Sequence, residues 1–351
     1  MNILKNKIQL STTKILAILT LKIFILTISF SVLADFSNSP IFLMYHRFGE
    51  NSYPTTNTTI KQLEQHIAEL SSDHYNVLPM ELIIKSIKEG TPLKDRTIGI
   101  SIDDSYQSIY TTAWPRFQAA NLPFTIFVST AAVNFGSKNH LSWSQIREMK
   151  SAGVSIGHHT HSHIHMPSKS NFLNKKDLVL ASSFFKKELG KVPKLFAYPY
   201  GEISLETIKL IKSMGFSSAF GQHSGVMTGL SDLFQIPRFA VNEKFGNINR
   251  LKIILNSLPF SITDQTPREH LVLKINPPAI GFTLNQSMLN KDKLRCFISS
   301  EGNTSLERLG VRRVEVRIKN PLPRGRTRMN CTLPGKNGRW HWFGRMFLNL
   351  N

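Results

Sequence analysis

Short apolar runs alternate with amphipathic segments over residues 40–257. The apolar runs, which predict buried strands, are 41–45, 97–102, 124–128, 154–157, 195–198, 217–220 and 234–236. The segments whose apolar residues recur every three or four positions, which predict helices, are 61–70, 106–120, 143–150, 175–189, 205–214 and 248–256. This alternation predicts an α/β fold with a parallel sheet, either an open doubly wound sheet or a closed barrel.

The pattern changes after about Pro267, where no helical periodicity remains. Short predicted strands, separated by Gly and Pro turns, are 271–275, 279–284, 294–298, 313–318, 328–332 and 339–347. They predict a small all-β sandwich of about 80 residues. We therefore divide the chain into a signal segment (1–34), an α/β domain (35–265) and a basic β-sandwich domain (266–351).

The first 34 residues have the layout of a secretory signal peptide. Residues 1–22 hold four lysines and no acid, residues 23–33 are apolar, and Ala34 offers a cleavage site. We expect an exported protein, periplasmic, secreted or envelope-associated, with no stable transmembrane span after cleavage. The alternative is an uncleaved membrane anchor, because the apolar core interrupted by Lys22 approaches the length of a spanning helix.

The chain is strongly basic, and the excess is concentrated near the C-terminus. It has 43 Lys and Arg against 23 Asp and Glu, and residues 271–351 alone have 15 against 4. Such a surface favours anionic partners, and for an exported protein an anionic envelope surface is a better partner than nucleic acid. The alternative is a basic surface that only keeps the protein soluble.

Two cysteines occur, Cys296 and Cys331, both in the predicted β-sandwich. In an oxidising compartment an isolated pair in one small domain predicts a disulfide. A structural zinc site would need more ligands near these two residues.

Two polar motifs follow predicted strands. Asp103 and Asp104 come at the end of one strand, and residues 158–165 contain five histidines after another. Because the carboxyl ends of parallel strands meet at one edge, we expect these side chains to converge. One carboxylate and two histidines form a ligand set for a hydrolytic metal, and the second carboxylate is then free to act as a base. Paired aspartates that only cap a helix are the alternative.

Histidines four positions apart can share one face of a helical turn and bind a metal together. This spacing fits His159 with His163, and a shifted register would use His161 with His165. The preceding strand favours the first pair.

These motifs resemble the polysaccharide deacetylase family (carbohydrate esterase family 4, with a NodB-homology domain). The similar segments are 101–106, with the two aspartates, 159–163, with the histidines, and 196–201, with a Tyr-Pro-Tyr sequence. The resemblance covers about residues 40–245 and implies a distorted (β/α) barrel. A subgroup of exported bacterial members resembles this chain further, in a C-terminal extension with two cysteines and aromatic residues.

Carried over by position, the resemblance implies that Asp103 is the general base and that Asp104, His159 and His163 bind the metal. It also implies that the segment containing Tyr198, Pro199 and Tyr200 forms one wall of the substrate groove. His46, at the end of the first strand, and Trp143 are further candidate substrate contacts. A core histidine and plain packing at a helix start are the respective alternatives.

Three departures from the family pattern stand out. Ser105 replaces the usual Gly, which is tolerable if its backbone keeps a common conformation. Ala197 stands where many members carry Arg, and Arg238 is the natural substitute to orient Asp103. No segment resembles the family's general-acid motif, so His223 is a candidate acid.

The sequence therefore predicts a metal-dependent hydrolase that removes N-acetyl groups from amino sugars of a polysaccharide, an amidase acting on linear amides. Asp103 would activate a water at the metal. Zinc suits this ligand set best, although nickel, cobalt or manganese also fits. The alternatives are an O-acetyl esterase acting on the same type of polymer and a catalytically silent envelope- or glycan-binding protein.

Overall fold

An eight-stranded parallel sheet forms the framework of the N-terminal part. The structure, a computed structural model, describes residues 39–229, 231–285, 288 and 291–351, so the predicted signal segment lies outside the described residues. The strands of this part are β1 (Ile41–Tyr45), β2 (Arg47–Phe48), β3 (Asn57–Thr58), β4 (Asn76–Val77), β5 (Thr97–Asp103), β6 (Thr125–Val128), β7 (Ser155–His158), β8 (Leu195–Ala197), β9 (Ser218–Phe220) and β10 (Phe239–Ala240). β2 and β3 form a separate short pair.

The order of the main sheet is β10-β1-β5-β6-β7-β8-β9, with β4 beside β5. One short segment of the chain connects the two edges of this sheet. Ile236 bridges Phe220 in β9, and three residues later Phe239 pairs with Leu43 in β1. The sheet is therefore a distorted (β/α) barrel, and the open doubly wound alternative is excluded.

Eight α-helices accompany these strands within the described residues. They are α1 (Ile60–Leu70), α2 (Met80–Glu89), α3 (Trp114–Ala119), α4 (Thr130–Asn134), α5 (Trp143–Ser151), α6 (Asn171–Leu189), α7 (Leu205–Ser213) and α8 (Ile248–Leu255). Side chains of Thr59, Ser142 and Ser204 cap α1, α5 and α7 in reciprocal capping boxes. None of the described helices is both long enough and apolar enough to cross a membrane.

Two prolines shift elements away from their predicted positions. The predicted strand 234–236 is reduced to a single bridge at Ile236: Pro237 has no N–H to continue a ladder, and the regular pairing falls on β10 instead. The predicted helix 106–120 is divided into a π-helical turn (Ile109–Ala113) and α3. Pro115 explains the division, because it cannot donate a hydrogen bond to the preceding turn. Helices α2 and α4 were not predicted.

Two sheets form the C-terminal part, and their pairings are antiparallel except for that of β11 with β19. Its strands are β11 (Leu258–Pro259), β12 (Ile262–Thr266), β13 (Ile280–Leu284), β14 (Arg295–Ile298), β15 (Gly302–Asn303), β16 (Ser305–Leu309), β17 (Arg313–Arg317), β18 (Gly325–Pro334) and β19 (Trp340–Asn349). One sheet has the order β11-β19-β18-β14-β15 and the other β12-β13-β17-β16. An apolar cluster that includes Phe282, Val314 and Phe347 draws residues from both, which confirms the predicted β-sandwich.

The disulfide between Cys296 and Cys331 is formed, as predicted, and it joins β14 to β18 where these residues are paired. The predicted strand 271–275 is wrong. The chain leaves β19 after Val272, and Leu273 and Ile275 are left exposed. β11 and all but the last residue of β12 lie before residue 266, but both strands pair within the C-terminal sheets. The division of the chain into domains at that residue stays a prediction.

Strand β19 fixes the sandwich against the barrel. The backbone N–H of Val226 donates to the carbonyl of Trp342 over 3.3 Å, and the Trp342 ring packs edge-on against Phe239 at 5.2 Å. A Cβ atom at Gly344 would overlap the carbonyl oxygen of Ser224. Glycine is therefore required at the closest approach of the two parts.

We expect Gly344→Ala to destabilise the protein by about 1–3 kcal/mol, because backbone must move to admit the methyl group. The measurement is the midpoint of thermal or urea unfolding. Gly229→Ala is the matched control, since a Cβ there meets no atom within 4 Å. Equal unfolding midpoints for the two variants would contradict the close approach.

Candidate metal and catalytic site

Asp104, His159 and His163 form a group of potential metal ligands. One ligand atom from each lies within 4.8 Å of the others. Oδ1 of Asp104 is 3.3 Å from Nε2 of His159 and 3.1 Å from Nε2 of His163. Among the described residues, the buried atoms Asp104 Oδ1 and His159 Nε2 have no properly directed hydrogen bond. Buried polar atoms that converge without bonding one another fit a divalent metal ion.

Irregular backbone brings the two histidines together. The expectation of a helical turn is wrong, because the chain after β7 runs as a loop in which Thr160 and His163 have φ values of 66° and 49°. The N–H of His163 donates to Oγ1 of Thr160 over 3.1 Å. Asp177 of α6 accepts the N–H groups of residues 161 and 162 over 2.7 and 3.1 Å. Tertiary anchoring therefore sets this loop.

The imidazole of His159 is oriented by a backbone carbonyl. Its Nδ1 lies 2.7 Å from the oxygen of Ala197, so this nitrogen donates and Nε2 is left to face Asp104. The contribution of Ala197 was not foreseen, because a backbone oxygen leaves no signal in the sequence.

Two neighbouring histidines serve other purposes. His158 is fully buried beside aromatic rings such as Phe185, and burial lowers its pKa to about 3. The Nδ1 atom of His161 lies 2.8 Å from Oγ1 of Thr130. Neither side chain belongs to the ligand group.

His165 supports the wall of the site. Its Nδ1 lies 2.8 Å from Glu202, and its ring stacks on Tyr200 with centroids 3.9 Å apart. The Tyr200 ring in turn meets the His163 ring edge-on at 4.4 Å. Since both His161 and His165 are occupied elsewhere, the structure does not support the shifted ligand register.

Asp103 forms a buried ion pair with Arg238. The two carboxylate oxygens accept from Nη1 and Nη2 over 2.7 and 2.8 Å, and neither residue is exposed. Arg238 also donates to Oγ of Ser101 over 3.0 Å and to the carbonyl of Gly221 over 2.9 Å. Burial acts to raise the pKa of Asp103, but the charges of Arg238 and His159 outweigh it and lower that pKa. Asp103 is therefore a carboxylate, the form that a base requires.

The expected substitution of Arg238 for an arginine at position 197 agrees with this contact. The role of Arg238 in catalysis stays a prediction. Asp103 has no exposed surface, whereas the adjacent Asp104 is partly exposed and faces an open cavity. Burial acts to raise the pKa of Asp104, but its close contacts with the imidazoles of His159 and His163 outweigh burial and hold that pKa well below the usual value.

A cavity of about 1390 Å³ opens over the site. From the barrel it is lined by residues that include Asp104, His163, Tyr200, His46 and His140. From the β-sandwich it is lined by Ser299, Arg326, Arg328, Asn330 and Trp342. Both parts of the chain therefore shape the same cavity.

Three predicted substrate contacts do not line this cavity. Tyr198 is fully buried, because its hydroxyl donates to the carbonyl of Phe234 over 3.1 Å and its ring packs in the apolar core. Trp143 packs against Phe185, and its indole N–H donates to Asn134 over 2.8 Å. Among these candidates only Tyr200 and His46 line the cavity, while Pro199 is buried behind Tyr200.

His223 lies apart from the metal ligands. It lines a different cavity of about 630 Å³, together with His270 and Arg345. Burial and the Arg345 charge lower its pKa to about 4. An acid role for His223 therefore stays a prediction without a supporting contact, because residues 222 and 224 face the catalytic cavity and 223 faces away from it.

The residues after β5 have strained backbone. Asp104 and Ser105 have φ values of 75° and 58°, in the left-handed region. The condition under which Ser105 can replace Gly without strain is therefore not met, because the turn that directs Asp104 at the histidines has positive φ here. Oγ of Ser105 is also buried and has no hydrogen-bond partner among the described residues.

We expect Ser105→Gly to raise the unfolding midpoint by an amount equivalent to about 1 kcal/mol. Relief of about 1–2 kcal/mol of left-handed strain exceeds the added chain entropy of glycine. Ser105→Ala is the control, since it removes the hydroxyl but keeps the strain. A Gly variant no more stable than the Ala variant would show that strain at this position is negligible.

Comparison with known proteins agrees with the fold and the motifs. The sequence model of the polysaccharide deacetylase family matches residues 90–219. The chain is 28% identical over 231 residues to the poly-beta-1,6-N-acetyl-D-glucosamine N-deacetylase of Staphylococcus epidermidis, an alignment that covers 58% of this chain and 80% of that protein.

Solved structures share the barrel fold. The Streptococcus pyogenes deacetylase PplD, in complex with acetate, superposes with a TM-score of 0.58 at 19% identity and covers 62% of this chain and 98% of its own. IcaB from Ammonifex degensii gives a TM-score of 0.56 at 23% identity, with coverages of 62% and 97%. The α/β part of this chain therefore has the barrel fold of these proteins, and residues 90–219 within it match the polysaccharide deacetylase family model.

Proposed function

We propose that this protein is a metal-dependent hydrolase that removes N-acetyl groups from the amino sugars of a polysaccharide. The observation that carries the proposal is the convergence of Asp104, His159 and His163 beside the buried carboxylate of Asp103. The name of the Staphylococcus epidermidis relative supports an N-acetylated polymer of amino sugars as the substrate.

Asp104, His159 and His163 would hold the divalent ion, with zinc as the first choice and nickel, cobalt or manganese as alternatives. Such an ion supplies Lewis acidity, which lowers the pKa of a water and polarises an acyl oxygen. The carbonyl of Ala197 fixes the tautomer of His159 that leaves Nε2 available. The side chain of Tyr200, braced by His165, forms the adjacent wall for the sugar.

Asp103 is the proposed base. Arg238 keeps it ionised, so its carboxylate can accept a proton from the attacking water as the amide carbon becomes tetrahedral. The ion pair also fixes the direction of the carboxylate. Arg238 therefore acts as a positioning residue.

Cleavage of the amide also requires a proton for the departing amine. Two imidazoles outside the ligand group line the cavity, His46 and His140. Burial lowers the pKa of His46, and the carboxylates of Asp104 and Asp103 oppose this effect. Burial and the charge of Arg47 lower the pKa of His140. Because His46 lines the cavity and the charges of both carboxylates favour its protonated form, we infer that it supplies the proton, in place of His223.

The location of the protein is part of the same proposal. Cleavage after Ala34 would release the enzyme outside the cytoplasm. Its polymer substrate and an anionic envelope surface are accessible there.

We expect Asp103→Asn to retain bound metal and to lose turnover by at least about 100-fold, as expected for removal of a general base. His159→Ala should lose both metal and turnover, because a ligand is removed. The measurements are metal content per chain and acetate release from an N-acetylated oligosaccharide. Full activity of the Asn variant would overturn the mechanism.

The same acetate assay separates the rival functions. Release from an O-acetylated polymer but not from its N-acetylated counterpart would favour the esterase. A chain that binds no divalent ion, and is inactive when one is supplied, would favour a silent binding protein.

We expect His46→Gln to lower kcat by about 100-fold or more with little change in KM, as expected for loss of a general acid. His140→Gln is the matched control and should have a much smaller effect on kcat. A substrate with a better leaving group should restore part of the His46→Gln rate. Equal losses in the two variants would contradict the assignment.

A further inference from the structure

Strand β18 presents a row of polar side chains to the catalytic cavity. Thr327, Met329 and Cys331 are buried in the sandwich, and the alternate residues Arg326, Arg328 and Asn330 lie on the opposite face. That face lines the cavity over the metal ligands. These arginines lie beyond residue 219, where the match to the family model ends.

Arg326 is close to the ligand group. Its Nη1 donates to the carbonyl of Tyr200 over 3.2 Å, and its guanidinium carbon lies 5.5 Å from the centre of that ring. Since the Tyr200 ring lies 4.4 Å from the His163 ring, the guanidinium is no more than about 10 Å from His163. Arg326 therefore lines the cavity beside His163, and Arg328 follows it on the same face of the strand.

The cavity has an excess of positive charge. Its lining includes Lys244, Arg250, Arg326 and Arg328, against the carboxylates of Asp104 and Glu243. Asp104 faces the histidines, and Glu243 accepts a hydrogen bond from Asn57 over 2.7 Å. The two carboxylates of the lining therefore leave part of its positive charge without a counter-charge.

Arg328 is a positively charged residue of the cavity without an ion-pair partner among the described residues. No acidic side chain among the described residues lies within ion-pair distance of it, and the nearest acid to Arg326 is Glu202 at 3.8 Å. Burial, together with the Arg326 charge, lowers the pKa of Arg328. An arginine that faces the cavity without a counter-charge, two residues from a second arginine on the same strand face, favours an anionic ligand.

We propose that the substrate is an N-acetylated amino-sugar polymer bearing negatively charged groups, carboxylate or phosphate, which Arg328 and Arg326 bind beside the reacting sugar. This inference rests on the deacetylase function proposed above. The inference also fits release of the product. Deacetylation leaves an ammonium group on the sugar, and these arginines repel that positive charge.

The test compares the binding of three hexasaccharides to full-length Asp103→Asn protein by calorimetry: N-acetylchitohexaose, its C6-carboxylated form and its C6-phosphorylated form. We expect about tenfold tighter binding of at least one charged form, as one charge-assisted contact provides. The preference should weaken as salt is raised. The two charged forms distinguish carboxylate from phosphate. Equal affinity for all three hexasaccharides would overturn the inference.

Three further variants, made in the same background, assign the effect. Arg328→Gln should lose most of the preference, and Arg328→Lys should retain most of it because the charge is kept. Arg312→Gln is the matched control, since this exposed arginine of the sandwich does not line the cavity. A preference unchanged in Arg328→Gln would overturn the assignment to this side chain, and an unfolding midpoint near that of the parent would exclude misfolding.

Failure of the inference and failure of the proposed function give different results. Acetate release from neutral N-acetylchitohexaose by the wild-type protein tests the function, whatever the charge preference. Release without a binding preference would sustain the function and overturn the charged substrate. A binding preference without release from any of the three forms would sustain anion recognition and overturn the deacetylase.

Discussion

The buried ion pair between Asp103 and Arg238 connects the parts of this protein that must meet for a site to exist. The two residues are 135 positions apart, one at the end of β5 and the other in the segment that brings the sheet's last strand back to its first. Removing either partner would leave a buried charge uncompensated, at a cost of about 3–5 kcal/mol. The same contact keeps Asp103 ionised, so closure of the barrel and the state of the proposed base depend on one interaction.

The next residue along the chain shows why adjacent carboxylates can differ in role. Asp103 is the last residue of β5 and points to Arg238, while Asp104 turns through a left-handed conformation towards His159 and His163. The strain at this turn is held by surrounding structure, as is common at functional sites. Adjacent residues of the backbone thus provide a buried anion and a proposed metal ligand.

The β-sandwich packs against the barrel and forms part of the cavity wall. Its strand β19 packs against the barrel through Gly344 and Trp342, and its strand β18 turns Arg326 and Arg328 into the catalytic cavity. The position of the sandwich therefore sets the width and the charge of the groove. The excess of positive charge in this part of the sequence thus has a local meaning within the cavity, which net charge alone could not reveal.

Local patterns determined much of this protein. Strand–helix alternation, the position of Asp103 and Asp104 at a strand end, the spacing of His159 and His163 and the isolated cysteine pair each depend on nearby residues, and the barrel, the ligand group and the disulfide agree with them. Other features were decided only by the tertiary structure. They are the loop that orients the histidines, the strained backbone at Ser105 and the burial of Tyr198. The distance of His223 from the site and the direction of the Arg328 side chain towards the cavity belong with them. These features depend on contacts between distant segments, such as Asp177 with the histidine loop, and on which face of an element meets its neighbour. The sequence specifies which groups are available for chemistry, whereas packing decides which of them face one another.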